Sequence, residues 1–410
     1  MKDSPRSPRD IPQVLDRFAA ERRRFLAEGT LYGAGAGILA GLGLSHYARA
    51  QGAPPAAGSG PGPGARPPPP PEPAFSQRAP LHDLKGKVAY ITASSDGIGL
   101  GIARAASAAG MKVCIGYRNE DRLKAALPLF KKGNAGILPI KHDVTDRDGW
   151  AKVLQTINSQ FGNLHLVVNN AGLKTGAQAS KVSAKDWDDA VAVNYTATYD
   201  SVAVCLPHML QHGEGSHFVV TSSMSGLLPG GPLGVYSATK IAAVGLMEAL
   251  RVELEGTTVG TSAFCPGGVN TDNYQGTGES NPYRAQQAAA RAQQAAARAQ
   301  AAARPDCTPP PPPPRPNNGP PPGMDPVEAG ERVLNGVIHN DLFIITHPEY
   351  MPGTQQRFDA MLISEPREDT PVSPDRVRGE TRVLTCGIYR RESAHRKEPR
   401  KSFRSTKLDT

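Results

Sequence analysis

The chain has little that would pin it covalently. Its five cysteines (Cys114, Cys205, Cys265, Cys307 and Cys386) show no paired or metal-ligand spacing. Neither a disulfide framework nor a metal centre is expected. Cys114 and Cys265 lie in apolar, strand-like runs and read as buried structural thiols. Hydrophobic content is low, 39% of 410 residues, below the usual range for a wholly globular chain. One core cannot claim the whole length. The 43 glycines and 39 prolines place part of it in unstructured segments. A firm membrane span is also missing: the apolar run at 31–44 is glycine-rich and barely long enough. Net charge is +8, but the excess sits in the N-terminal leader, a repeat and the tail. Nucleic-acid binding would need a groove-reading element beside that charge. None accompanies it, so no nucleic-acid partner is expected.

Composition divides the chain into segments. Residues 1–51 read as an export signal. Arg22-Arg23-Arg24-Phe25-Leu26 precedes the glycine-rich run, and Ala48-Arg49-Ala50 supplies small residues at a cleavage site. The arginine pair resembles a bacterial twin-arginine signal, which implies a periplasmic or exported protein. The alternative is a cytoplasmic protein or one anchored at its N-terminus. Residues 52–80 form a Pro/Gly-rich linker that includes Pro67 to Pro71. The folded part is expected over 81–366, interrupted at 272–323. There Arg-Ala-Gln-Gln-Ala-Ala-Ala begins at Arg284 and again at Arg291, a variant follows from Arg298, and prolines run from Pro309 to Pro314. Ala, Gln and Arg favour helix. A helix without a large apolar face packs no core, so an expansion projecting into solvent is preferred to a mobile lid. The basic tail at 367–410 lacks periodicity and is expected to be disordered.

Within 81–366 apolar runs alternate with helical patterns. Strands are predicted at Lys87–Thr92, Lys112–Tyr117, Ile137–Val144, His165–Asn169, Phe218–Ser222, Val259–Phe264 and Leu342–Thr346. One long helix is predicted from Trp187 to Leu210. The alternation implies an α/β fold, a single doubly wound parallel sheet of about seven strands. Between the first strand and its helix lies Ala93-Ser94-Ser95-Asp96-Gly97-Ile98-Gly99. Backbone amides of such a turn can approach a pyrophosphate at the helix N-terminus. A methyl at Ala93 is tolerated only if φ stays negative.

The chemistry concentrates between Ser223 and Lys240. Ser223 follows a buried strand, and Tyr236 and Lys240 stand four apart at the start of a helix. That spacing puts both on one helical face. A free phenol has a pKa of about 10. A nearby ammonium would stabilise the phenolate and lower that value, so Tyr236 could exchange a proton near neutral pH. Ser223 could hydrogen-bond the oxygen being protonated. Taken alone, a Tyr-x-x-x-Lys pair is weak evidence, because most such pairs are incidental surface residues.

Context changes that weight. Thr92-Ala-Ser-Ser-Asp-Gly97-Ile98-Gly99, Asp143-Val144, Asn169-Asn170-Ala171-Gly172, Asn194, Ser223, Tyr236-x-x-x-Lys240 and Pro266-Gly267-x-Val269-x-Thr271 agree in order and spacing. From about residue 84 to 366 the chain resembles the short-chain dehydrogenase/reductase family. The resemblance implies a Rossmann-type fold, an NAD(P)-dependent oxidoreductase interconverting a secondary alcohol and a ketone, and a homo-oligomer. Asn194, Ser223, Tyr236 and Lys240 match the family's catalytic four. Tyr236 would move the proton, Lys240 would lower its pKa and hold the nicotinamide ribose, Ser223 would hold the substrate oxygen, and Asn194 would support a water relay. Cofactor contacts are implied at Thr92, Ser94, Ser95, Gly97, Ile98, Gly99, Asp143, Val144, Asn170, Ala171, Gly172, Pro266, Gly267, Val269 and Thr271, beside Tyr236 and Lys240.

An acid after the second strand would bind the adenosine ribose diol and repel a 2′-phosphate. Tyr117-Arg118 stands there instead, and Arg118 can pair with a phosphate. NADP is therefore favoured over NAD, with Asp96 as a counter-signal. Leu227, Leu228 and Val235 point to an apolar or aromatic substrate. The alternative reading keeps the fold without the catalysis: an NADP-binding regulatory or scaffolding protein.

Overall fold

Both faces of the first strand are buried. In β1 (Val88–Ile91), Val88 and Tyr90 join one apolar cluster, while Ala89 and Ile91 join another. A strand's period of two requires this when helices cover both sides of a sheet. The computed structural model describes residues 80–130, 136–176, 178–230, 233–271, 323–364 and 387–395. The export signal, nearly all of the linker and of the 272–323 insertion, and most of the tail lie outside the described residues.

After β1 come α1 (Gly97–Ala108), β2 (Lys112–Tyr117), α2 (Glu120–Ala126), β3 (Ile137–Lys141), α3 (Gly149–Phe161) and β4 (Leu166–Asn169). Then follow α4 (Ala184–Val191), α5 (Ala197–His212), β5 (Ser216–Thr221), α6 (Gly234–Glu253), β6 (Val259–Cys265), α7 (Pro326–His339) and β7 (Phe343–Ile345). Two further helices, α8 (Met351–Ile363) and α9 (Ile388–His395), come last. The sheet has seven strands in the order β3-β2-β1-β4-β5-β6-β7, every neighbouring pair parallel. This is the doubly wound α/β sheet that the alternation predicts. The strand order reverses between β1 and β4, and at such a switch point the carboxyl ends of the strands open a crevice.

Trp150, Ile157, Met209 and Met247 from α3, α5 and α6 fill one side of the sheet. Ile102, Ala106, Val333 and Leu334 from α1 and α7 fill the other. The last two helices meet through glycine: a Cβ at Gly330 would fall 2.6 Å from the Gly101 carbonyl oxygen, so only glycine permits this approach. Helix starts are capped locally. Asn119 accepts from the amides of Asp121 and Arg122 at α2, and Asp325 from those of Val327 and Glu328 at α7.

Two features depart from the sequence expectation. The single helix predicted from Trp187 to Leu210 is α4 and α5 joined by a π-turn, Ala192–Thr196. An inserted residue widens such a turn without breaking the helical run. The tail, in turn, is not structureless throughout. In α9, Ile388 is buried, Arg391 pairs with Glu255 at 2.7 Å, Tyr389 donates to Glu248 at 3.0 Å, and Glu392 accepts from the Leu342 amide at 3.1 Å. Among the described residues no helix is long and apolar enough to cross a membrane.

Candidate active site

The carboxyl ends of β1, β4, β5 and β6 border a cleft of about 1500 Å³. Its floor begins with the turn after β1. Asp96 caps α1 by accepting from the Gly97 amide at 2.7 Å. Gly97 has φ of 55°, and a Cβ there would press on Thr271 at 3.3 Å. Ser95, Gly97 and Ile98 line the cleft. Thr92, Ser94 and Gly99 do not. The Thr92 hydroxyl oxygen accepts from the amides of Asn170 at 2.8 Å and Ala171 at 2.9 Å. Ser94 donates to the Ile91 carbonyl at 2.7 Å. A Cβ at Gly99 would fall 2.4 Å from the Ala93 carbonyl oxygen and 2.5 Å from Asn170 Nδ2. These three shape the turn from behind. Asn170 completes the junction, donating to the Thr92 carbonyl at 3.1 Å and accepting from the Thr221 hydroxyl at 3.3 Å. Ala93 takes φ of 49°, the left-handed conformation in which a methyl is strained.

At one end the cleft is lined by Tyr117, Arg118, Asn119, Arg122, Asp143 and Val144. Arg118 is exposed and donates to Asp143 at 2.9 Å. Burial pushes the Asp143 carboxyl up, but the Thr145 amide, Arg118 and the Thr145 hydroxyl together hold it below its ordinary value. Arg122 was not singled out by sequence, and it pairs with Asp96. Its position in the first turn of a helix after the second strand is the only sequence signal that could have found it.

At the other end Ser223, Tyr236 and Lys240 meet in the cleft wall. Ser223 stands beside the Tyr236 phenol, and its hydroxyl oxygen accepts from the Ser225 amide at 3.1 Å. The Lys240 ammonium lies 5.6 Å from the centre of the Tyr236 ring and donates to the Thr221 carbonyl at 2.7 Å. Burial pushes the Lys240 pKa down to about 8, with Cys265 opposing. Tyr236 goes the other way from the expectation. Burial raises its pKa, Ser223 opposes this, and Cys265 adds to it. The helical pairing with Lys240 holds, but at Tyr236 desolvation outweighs the opposing effect of Ser223.

Asn194 sits in the π-turn and does not line the cleft. It accepts from the Leu173 amide at 2.7 Å and donates to the Leu173 carbonyl at 2.9 Å and the Thr239 hydroxyl at 3.0 Å. A Cβ at Gly172 would lie 3.3 Å from the Lys240 nitrogen and 3.6 Å from Asn194 Oδ1, so glycine keeps the space between those groups open. Asn170, Ala171, Gly172, Pro266, Gly267, Val269 and Thr271 complete the wall.

Beside Tyr236 the wall turns apolar. Leu173, Val193, Met224, Leu228, Leu233 and Tyr350 face the cleft. Leu227 and Val235 do not. Both are buried, Leu227 within the core. Tyr350 comes from the segment after β7, far along the chain, and no local motif announces it.

A family model described as short chain dehydrogenase matches residues 87–282. An uncharacterized oxidoreductase of Staphylococcus epidermidis is 32% identical over 208 residues, covering 50% of this chain and 89% of the relative. The chain belongs to the short-chain dehydrogenase/reductase family. A C alpha-dehydrogenase of a Sphingobium species is 24% identical over 300 residues, 71% of this chain and 90% of that protein. The crystal structure of a short-chain dehydrogenase/reductase from Burkholderia phymatum in complex with NAD matches with a TM-score of 0.56 and 27% identity, covering 71% of this chain and 99% of that one. As a short-chain dehydrogenase/reductase, the protein is an oxidoreductase on a nucleotide-binding Rossmann fold.

Proposed function

We propose that the protein interconverts a secondary alcohol and a ketone with NADP as cofactor, Tyr236 handling the proton. The observation that carries this reading is the convergence of Ser223 and Lys240 on Tyr236 in the wall of the same cleft that holds the glycine turn. The residues fit a dinucleotide. The α1 N-terminus opens on the cleft, and Gly97 and Gly172 leave space that a Cβ would fill. A bound nicotinamide supplies or takes up the hydride.

The remaining steps belong to the chain's own residues. In reduction Tyr236 gives its phenolic proton to the carbonyl oxygen, and Ser223 donates a hydrogen bond to that oxygen. Lys240, with a pKa of about 8, is cationic at pH 7 and faces the phenolate as it forms. Asn194 holds the Leu173 backbone at the cleft edge. In oxidation the proton returns to Tyr236.

Arg118 and Arg122 support NADP at the adenosine end, where Arg118 rather than an acid directly follows β2. The counter-signal from Asp96 is answered by its pairing with Arg122. The apolar wall from Leu173 to Tyr350 supports an apolar or aromatic substrate.

The test is oxidation and reduction of a panel of alcohols and ketones, followed by nicotinamide absorbance with both NADP(H) and NAD(H). Tyr236→Phe and Lys240→Ala are each expected to lower kcat by at least about 100-fold, the lower end of what acid–base catalysis contributes. Hydride transfer surviving both substitutions overturns the assignment.

A further inference from the structure

Beyond β7 the chain folds back on the cofactor side of the cleft. His347 stands against Gly267 and Gly268, so closely that a Cβ at Gly267 would fall 2.5 Å from the imidazole ring. The Gly267 amide donates to Nδ1 at 3.0 Å, and the Thr346 hydroxyl lies 2.7 Å from the same nitrogen. A backbone amide can only donate, so Nδ1 is the acceptor and the ring proton sits on Nε2. Nε2 lies 3.2 Å from the Gly268 carbonyl oxygen and donates to it. That oxygen also accepts from the Met324 amide at 2.9 Å, and Met324 in turn accepts from the Asn270 amide at 2.8 Å. The turn is thus held on one side by backbone pairing and on the other by a single neutral imidazole. The same short segment carries a residue of the substrate wall. Tyr350 donates its amide to the His347 carbonyl at 3.3 Å, and the two rings are 6.3 Å apart.

We infer that His347 is a positioning residue for the cofactor: it clamps the Gly267–Gly268 turn at the level where Pro266, Gly267, Val269 and Thr271 face the cleft. This rests on the proposed function, in which Pro266, Gly267, Val269 and Thr271 contact the dinucleotide. The imidazole suits the place because one flat ring presents an acceptor to an amide and a donor to the next carbonyl. Through Tyr350 the clamp also ties the turn to the wall against which the substrate packs.

The experiment titrates the full-length protein and its His347→Phe, His347→Asn and Thr271→Val variants with NADPH and with NADH by calorimetry, and measures kcat and the cofactor KM for each. Phenylalanine keeps the ring and removes both hydrogen bonds. Asparagine keeps an acceptor where Nδ1 lies. His347→Phe is expected to weaken cofactor binding about tenfold, the scale of two ordinary hydrogen bonds. Its kcat at saturating cofactor should change less than about threefold, because Tyr236 and Lys240 are untouched. His347→Asn should recover most of the affinity. Equal affinity in His347→Phe and the parent, with Thr271→Val weakened, overturns the clamp alone. No change in either variant overturns the reading of the turn as well. Equal losses in His347→Phe and His347→Asn, with both melting lower, make His347 a packing residue and overturn the inference.

Discussion

Ala93 holds φ of 49°, and the surrounding bonds give it no freedom to leave. The next amide, that of Ser94, donates to the Gly116 carbonyl at 2.8 Å, and the Ser94 hydroxyl donates to Ile91 at 2.7 Å. The Ala93 carbonyl itself accepts from Asn170 at 3.4 Å. Rotating Ala93 to negative φ would break this set. An L-residue in the left-handed region carries a penalty of about 1–2 kcal/mol, because its Cβ crowds the following carbonyl oxygen. Glycine carries none, but it adds about 0.4–1 kcal/mol of freedom to the unfolded chain. The difference predicts that Ala93→Gly stabilises the protein by about 0.5–1 kcal/mol. For a domain of this size that is a rise in Tm of about 1–4 °C. Thermal melts and urea midpoints of parent and variant measure it. Cofactor affinity should stay the same or improve, since the methyl faces the cleft. A lower Tm in Ala93→Gly would refute the reasoning, because it would mean that the methyl packs more favourably than its backbone is strained.

The other outcomes concern charge and proton balance. Arg118→Ala should raise the KM for NADPH about tenfold and leave NADH nearly unchanged; the exposure of Arg118 puts the effect at the lower end for a charge-assisted hydrogen bond. Equal effects on both cofactors would remove Arg118 from phosphate recognition. Burial lowers the pKa of His142, His165, His208 and His217, the last well below its ordinary value with Arg251 adding to the effect. These bases bind protons more readily once unfolded, so stability should be full above about pH 6.5 and fall as pH drops below it. Urea midpoints that stay flat from pH 8 to pH 5.5 contradict this. Glu392→Ala strips the buried Leu342 of its amide's partner and should cost about 1–2 kcal/mol. An unchanged urea midpoint would show that α9 adds nothing to the fold.

The sheet was legible because its central strands are buried on both faces and read as short continuous apolar runs. Val88 to Ile91, Leu166 to Asn169 and Val259 to Cys265 are buried along their whole length. The pairing of Tyr236 with Lys240 was legible for a local reason too, since helical spacing alone puts them together. What sequence could not carry was tertiary. Thr92 and Ser94 occupy motif positions, but the motif does not say whether a hydroxyl faces the cleft or a neighbouring backbone group. The π-turn at Asn194 escaped because one extra residue leaves an apolar pattern almost intact. Arg122 and Tyr350 reach the cleft, and His347 the turn behind its wall, only through the order of strands and the return of the chain after β7. The helix α9 escaped for a different reason. Its sequence is mostly polar, and it is held by Arg391, Tyr389 and Glu392 against groups on distant elements.

The sign of the Tyr236 shift changes how the pair should be understood. Spacing suggests a lysine that makes the phenol acidic. Burial instead acts on both groups, raising the phenol and bringing the ammonium down to about 8. Each shift favours the neutral form, yet at pH 7 the pair still rests as a neutral phenol beside a cation. In the proposed reaction, reduction would take the phenolic proton and turn that buried cation into an ion pair. Oxidation by the same proposed route would begin from the ion pair, with the phenolic proton given up first. A buried lone charge is the costlier state, and pairing relieves it. On the proposed function the resting site would store the proton that reduction consumes, and the lysine's contribution would be realised as the phenolate forms rather than before.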